Sequence, residues 1–334
     1  MKLTKMEKKQ LLIFVIIAYG ITYLLGVLMG YSYSAGKDVS VFPNAQMLYP
    51  AAGVMLAYLI TRKTDSNMPR RFFISYLIAT ALMILCAVCS VTGIGGNWLL
   101  ICQFILIGGS IVCGILLLTD KKERRSRYGL RGKNAKLSVF CILLFVVLYM
   151  LRTAISYGIS GELWMLGEIA VNPLTWVMLI SILVNFFFAF IAFFGEEYGW
   201  RYYLQPLLQK RFGKRAGVLL LGVVWGLWHM PVNFFYYTNP VDGIISMAGQ
   251  QITCITLGIF FAYAYMKTEN IWVPVILHFL NNNLIPVISG NYSASVIQDQ
   301  SVSWAMLVPA LILNGVIFGG FLFSRVFRKE KMKA

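Results

Sequence analysis

The chain of 334 residues has two histidines, His229 and His278, each inside a long apolar segment downstream of an isolated acidic pair, Glu196-Glu197. Ionisable groups at membrane depth are costly, so by default they mark a site turned toward the protein interior. Carboxylates and imidazoles are also the side chains that activate water. Polar chemistry gathered in this way inside an apolar chain points to a membrane enzyme.

Three patterns carry these groups. In Glu196-Glu197-x-x-x-Arg201, Glu197 and Arg201 stand four residues apart with the acid on the N-terminal side, the favourable order for a helical ion pair. Glu196 lies about 100° further round the helix. The spacing divides the acids into a structural one, Glu197, neutralised by Arg201, and a freer one, Glu196, suited to a general base. In Trp225-x-x-x-His229 the indole and imidazole share a helix face, and Pro231 just beyond loosens the backbone ladder, freeing a carbonyl. In His278-x-x-x-Asn282 imidazole and carboxamide point the same way. Asn281 lies near them, and Asn283 points elsewhere as polar glue between helices. Such amides are costly in an apolar helix unless partnered or wet. Each pattern alone also fits a plain structural role: acids closing a helix beside Arg201, or a histidine bonded across helices. Together they favour chemistry. Helical rise puts His229 roughly 20 Å, Glu196 about 15 Å and His278 about 10–15 Å deep, depths that suit one pocket open toward the cytoplasm.

The elements that must position these residues are membrane helices. Hydrophobic residues make up 59% of the chain and charged ones 13%, with a mean hydropathy of +0.72, which excludes a soluble globular protein. Apolar runs long enough for a hydrocarbon core of roughly 30 Å give ten expected spans, at about 11–31, 44–61, 72–92, 98–119, 137–157, 174–200, 216–237, 246–266, 271–289 and 303–324. The fold expected is an all-α, polytopic transmembrane bundle. The second run is short for a span. Gly26-Gly30, Gly222-Gly226 and Gly315-Gly319 have the spacing that permits close helix approach. The basic stretch from Asp120 to Lys136 divides accessory helices in 1–136 from a catalytic part in 137–334. Nothing in the first part carries chemistry, and an accessory bundle, a partner surface or packing all suit it.

The formal charge of +16 invites a nucleic-acid partner, but its distribution argues against one. Of 29 Lys and Arg residues, 27 fall in 1–9, 62–71, 120–136, 201–215, at Lys267 and in 325–334. With helices alternating from a cytoplasmic N-terminus, all of these lie on the cytoplasmic side, as the positive-inside bias requires. Both termini are then cytoplasmic, membrane lipids meet the charge, and the bacterial plasma membrane is the expected location. Lys37 falls in an outer loop, and Arg152 within a span. The first apolar run is long for a signal sequence and reads as an uncleaved helix. All six cysteines fall inside expected spans and read as packing residues.

The three patterns resemble those of the CPBP family of intramembrane proteases, also called Abi or CAAX protease-like proteins, which includes the type II CAAX prenyl endopeptidases. The family's paired Glu with Arg, aromatic-x-x-x-His, and His with Asn four residues on are met by Glu196-Glu197-Arg201, Trp225-His229 and His278-Asn282, within about 174–290. Trp225 stands where the family more often has Phe. The resemblance implies hydrolysis of a peptide bond in a membrane-associated protein or peptide, including a prenylated C-a-a-X tail. Glu196 and His229 would then deprotonate water, His278 and Asn282 would stabilise the oxyanion, and Glu197 with Arg201 would brace the site. Zinc held by Glu196, His229 and His278 is one form of this chemistry. A glutamate-activated water without metal is the other, and the lack of an HExxH helix favours it. A non-proteolytic immunity or scaffold protein of the same fold is the main alternative. A cation transporter is a further one, disfavoured because no paired discontinuous helices occur in matching halves.

Overall fold

Proline and asparagine set where the central helices begin and end. The computed structural model describes residues 3–92 and 94–328. Lys2 and, in the C-terminal basic cluster, Lys329, Lys331 and Lys333 lie outside the described residues. Ten helices correspond to the ten apolar runs: α1 (Lys5–Ser34), α2 (Tyr49–Thr61), α3 (Arg70–Val91), α4 (Trp98–Thr119), α5 (Ala135–Ser160), α6 (Pro173–Phe212), α7 (Lys214–Trp228), α8 (Gly243–Thr268), α9 (Trp272–Asn283) and α10 (Trp304–Ile317). At the start of α6, Pro173 occupies the first turn while the Asn172 side chain accepts a hydrogen bond from the Leu174 amide, closing an otherwise orphaned donor.

Six of these helices are long and apolar enough to cross a membrane, and a seventh span is formed if α7 is counted with Met230–Tyr237, which is bent from it by 49°. The remaining runs are shorter helices. The 44–61 run divides into Val41–Gln46 and α2, whose 13 residues extend only about 20 Å and are almost wholly enclosed by protein. The 271–289 run breaks after Asn283, before Pro286. Mean apolarity registers burial in protein and burial in lipid alike, so a hydropathy reading counts both as spans.

Lipid-facing surfaces are recognisable by large apolar side chains that no protein covers, including Leu24 and Val27 on α1, Leu118 on α4, Ile180 and Phe187 on α6 and Val316 on α10. Patches of this extent are foreign to soluble monomers. The basic clusters gather at one end of the bundle. Lys210 reaches Glu7 at 2.7 Å, Arg127 reaches Asp65 at 3.0 Å, Lys133 reaches Glu269 at 3.5 Å, and Arg215 donates to the Leu322 carbonyl. Lys37 is bonded to the Val91 carbonyl, at the far ends of α1 and α3. The protein is therefore a multi-pass membrane protein with its cationic loops on one face. Arg152, the charge within a span, lies over the Tyr149 ring and 3.5 Å from Asn314 Oδ1, tying α5 to α10.

Two glycines let α6 and α7 come close to their neighbours. A Cβ on Gly195 would strike the Met47 carbonyl and the Tyr76 hydroxyl. One on Gly222 would stand 2.6 Å from Ile255 Cα of α8. Gly26 and Gly30 of α1 rest against Pro231 and Phe235, whereas Gly315 meets nothing. Two of the three small-residue pairs thus mark real close approaches.

Candidate active site

Helix α6 changes pitch where its acids lie. After Glu197 it runs as a π-helix from Tyr198 to Leu204, a wider winding that recurs at functional sites. Glu197 and Arg201 nonetheless meet as their spacing predicts. Arg201 Nη1 donates to Glu197 Oε1 at 3.2 Å, and Nε lies 3.1 Å from Oε2. Both residues are sealed at 0% exposure. The Arg201 guanidinium also lies 4.1 Å above the Trp225 ring and 5.2 Å from that of Phe261, so its charge is shared between a carboxylate and two π faces.

His278 joins the same acid. Its Nδ1 stands 2.9 Å from Glu197 Oε1, which places the proton on Nδ1 and turns Nε2 away from the pair. The sequence assigns Glu197 to Arg201 alone; the fold gives it two basic partners.

Glu196 is not wholly free. Its Oε2 accepts the Trp225 indole N–H at 2.7 Å, while Oε1 makes no hydrogen bond among the described residues. A buried indole N–H needs an acceptor, and this one selects Glu196. Trp225 is the hub of the site. Its ring lies 5.8 Å from His229 and 5.5 Å from His278 between centroids, beneath Arg201 and bonded to Glu196. In the sequence Trp225 shows only a helix face shared with His229. The signal for more was the indole nitrogen itself, which the Phe common in the resembled pattern lacks.

His229 sits at the break between α7 and Met230–Tyr237. There its amide bonds three residues back, to Gly226. The Trp225 carbonyl, released from the helical ladder, lies 2.9 Å from His229 Nδ1. A carbonyl only accepts, so Nδ1 carries the proton and Nε2 presents a lone pair. The carbonyl that fixes the histidine tautomer is thus released by the turn of the His229 amide to Gly226, whereas the one that Pro231 leaves without its donor is that of Leu227. Other carbonyls at the break are held by the N-terminal helices. Tyr19 donates to Val224 O at 2.5 Å, Tyr23 to Leu227 O at 3.0 Å, and Gln46 Nε2 to Trp228 O at 3.0 Å. In return Trp228 donates to Ala18 O at 2.9 Å, within a π stretch of α1, Ile16–Ile21. Residues 1–136 therefore clamp the bend that carries His229.

The exposures sort the residues. Glu196, His229 and His278 retain 2%, 7% and 4%, against 0% for Glu197 and Arg201. Three groups keep a trace of exposure and the other two are fully sealed. Asn282 stands apart. It is half-buried, its Oδ1 accepts from Asn281 Nδ2 at 2.9 Å, and no described hydrogen bond joins it to His278. Asn283 bonds to the Phe279 carbonyl of its own helix, so it is not glue between helices. As for zinc, among the described residues no three His, Cys, Asp or Glu side chains come together closely enough to hold a metal ion. With Glu196 tied to an indole and His278 to Glu197, the set Glu196, His229 and His278 does not fit that ion as arranged.

Residues 174–284 match the family model described as type II CAAX prenyl endopeptidase Rce1-like, the stretch that holds the entire cluster. The chain is 30% identical over 101 residues to CAAX prenyl protease 2 of Methanococcus maripaludis, covering 29% of this chain and 37% of that one. It is 22% identical over 100 residues to "Putative membrane peptidase YdiL" of Bacillus subtilis, covering 29% and 41% respectively. The chain thus spans about two fifths of the length of these curated relatives. No solved structure matches it.

Proposed function

We propose that this protein is an intramembrane endopeptidase of a cell membrane that hydrolyses a peptide bond in a membrane-associated substrate. The observation that carries the reading is the division within one buried cluster. Glu196, His229 and His278 gather around the Trp225 ring with a trace of exposure each, while the sealed Glu197 and Arg201 hold His278 and Trp225 in place.

In this reading a water molecule lies between Glu196 Oε1 and His229 Nε2. Glu196 takes its proton as the oxygen attacks the substrate carbonyl carbon. His278, oriented through Nδ1 by Glu197, donates from Nε2 to the developing oxyanion, with the unused Asn282 amide as second donor. Collapse of the tetrahedral intermediate breaks the C–N bond, and Glu196 returns its proton to the leaving amine. A substrate with a prenylated, C-a-a-X-like tail is supported by the printed name of the archaeal relative.

The test compares the membrane proteome of cells carrying the native protein with that of cells carrying Glu196→Gln. A peptide terminus present only with the native protein, still produced after exhaustive chelation, is the expected result. An unchanged set of termini in the Glu196→Gln cells refutes the role of Glu196.

A further inference from the structure

Away from the acids and histidines, the cationic end of the bundle holds a cavity of about 250 Å³ between the start of α3 and the end of α4. Arg70, Arg71, Lys121 and Arg124 line it, with Asp120 as its acid and Phe72 at its apolar side. Four cations face one carboxylate, and that carboxylate is already engaged by Arg124 at 3.5 Å. Arg70 donates to the Lys63 carbonyl, but the Arg71 and Lys121 side chains have no hydrogen bond or ion pair among the described residues. Arg124 Nε is buried without an acceptor. A buried donor with nothing to bond is costly, and here it borders a cavity with an excess of positive charge. A void of about 250 Å³ far exceeds the roughly 10–15 Å³ that one water needs, which suits a headgroup rather than a single small ion.

What adjoins the cavity distinguishes a lipid from a soluble anion. One turn beyond the arginines, Ile74, Ile78 and Leu82 are exposed along one face of α3. Ile111, Ile115 and Leu118 are exposed along the neighbouring α4 and lead up to Thr119 at the cavity wall. Cations at the cytoplasmic end of two packed helices, continued by an apolar stripe on both, match the two parts of a phospholipid. We propose that this cavity holds the phosphate-bearing headgroup of an anionic diacyl phospholipid, with its acyl chains lying along the α3–α4 stripe. This site is independent of the proteolytic reading.

The test uses the full chain in detergent and native mass spectrometry, titrating phosphatidylglycerol against phosphatidylcholine. Arg71→Gln with Lys121→Gln removes two exposed, unpaired charges, so the fold is retained. Lys133→Gln with Lys136→Gln serves as a control on the same face, outside the cavity. Each lining charge contributes roughly fivefold, so the cavity variant should lose about 25-fold in affinity for phosphatidylglycerol while the control and phosphatidylcholine binding stay unchanged. Equal losses in both variants, or none in either, overturn the proposal. So does displacement of the lipid by inorganic phosphate or by an oligoglutamate peptide at matching concentration, which would make the cavity a site for soluble anions or acidic protein segments.

Discussion

Replacing each member of the acidic pair by glutamine should separate chemistry from support. Glu197 takes three buried contacts, from Arg201 Nη1 at 3.2 Å, Arg201 Nε at 3.1 Å and His278 Nδ1 at 2.9 Å. Glu197→Gln leaves one acceptor oxygen, aims an amide N–H group at two basic partners and strands the guanidinium in a sealed interior. Removing one partner of a buried pair costs about 3–5 kcal/mol. With each kcal/mol worth about 2–4 °C in domains of 150–250 residues, the melting temperature should fall by on the order of 10 °C. Glu196→Gln keeps an oxygen for the Trp225 N–H and removes only charge, so its melting temperature should stay within a few degrees, a cost of about 1 kcal/mol. Both variants should lose cleavage, the second by at least about 100-fold because the general base is gone. Thermal unfolding followed by tryptophan fluorescence, run beside the cleavage comparison, reads both effects. Adding Arg201→Met to Glu197→Gln removes the stranded charge and should recover much of the stability without restoring activity. The division of roles is refuted if Glu196→Gln melts as low as Glu197→Gln, or if Glu197→Gln is as stable as the native protein.

Trp225→Phe keeps the ring beneath Arg201 but deletes the donor to Glu196. A bond to a charged acceptor is worth about 1.5–3 kcal/mol, so turnover should fall at least about tenfold with the fold intact by circular dichroism. Tyr19→Phe removes the hydroxyl that donates to the Val224 carbonyl and should destabilise the protein by about 0.5–1.5 kcal/mol, with faster hydrogen exchange at residues 226–233 as the readout. Gly195→Ala drives a methyl group into the Met47 carbonyl and should lower both folded yield and activity, measured by size-exclusion profile and cleavage. In the basic loops, Asp65 is held below the ordinary carboxylate range, first by the Tyr128 hydroxyl and also by Arg127. Its contribution is present above the unfolded value of about 3.9 and disappears as pH falls through the lower folded value. Exchange of amides 121–131, corrected for intrinsic rates, should therefore be flat from pH 8 to 5 and rise at neutral pH in Asp65→Asn.

Local spacing and composition made a good part of this protein legible. The Glu197–Arg201 pair follows from an i, i+4 relation in a helix, and the basic clusters at one end follow from alternating spans. The close approach at Gly222 follows from a missing side chain. Each depends on residues within a turn or two, or on the cost of charge in lipid. The same local view does not separate α2, 13 residues long and largely enclosed by protein, from a helix that faces lipid along its length.

Only the tertiary structure decided which groups meet. Trp225 and Glu196 are 29 positions apart, His278 and Glu197 are 81, and Tyr19 and Val224 are 205. A buried N–H, imidazole or carbonyl announces in the sequence that it needs a partner, but many partners would satisfy it equally well. The choice is made by which helices pack together and where a π turn or a proline releases a carbonyl, and those are properties of the assembled bundle.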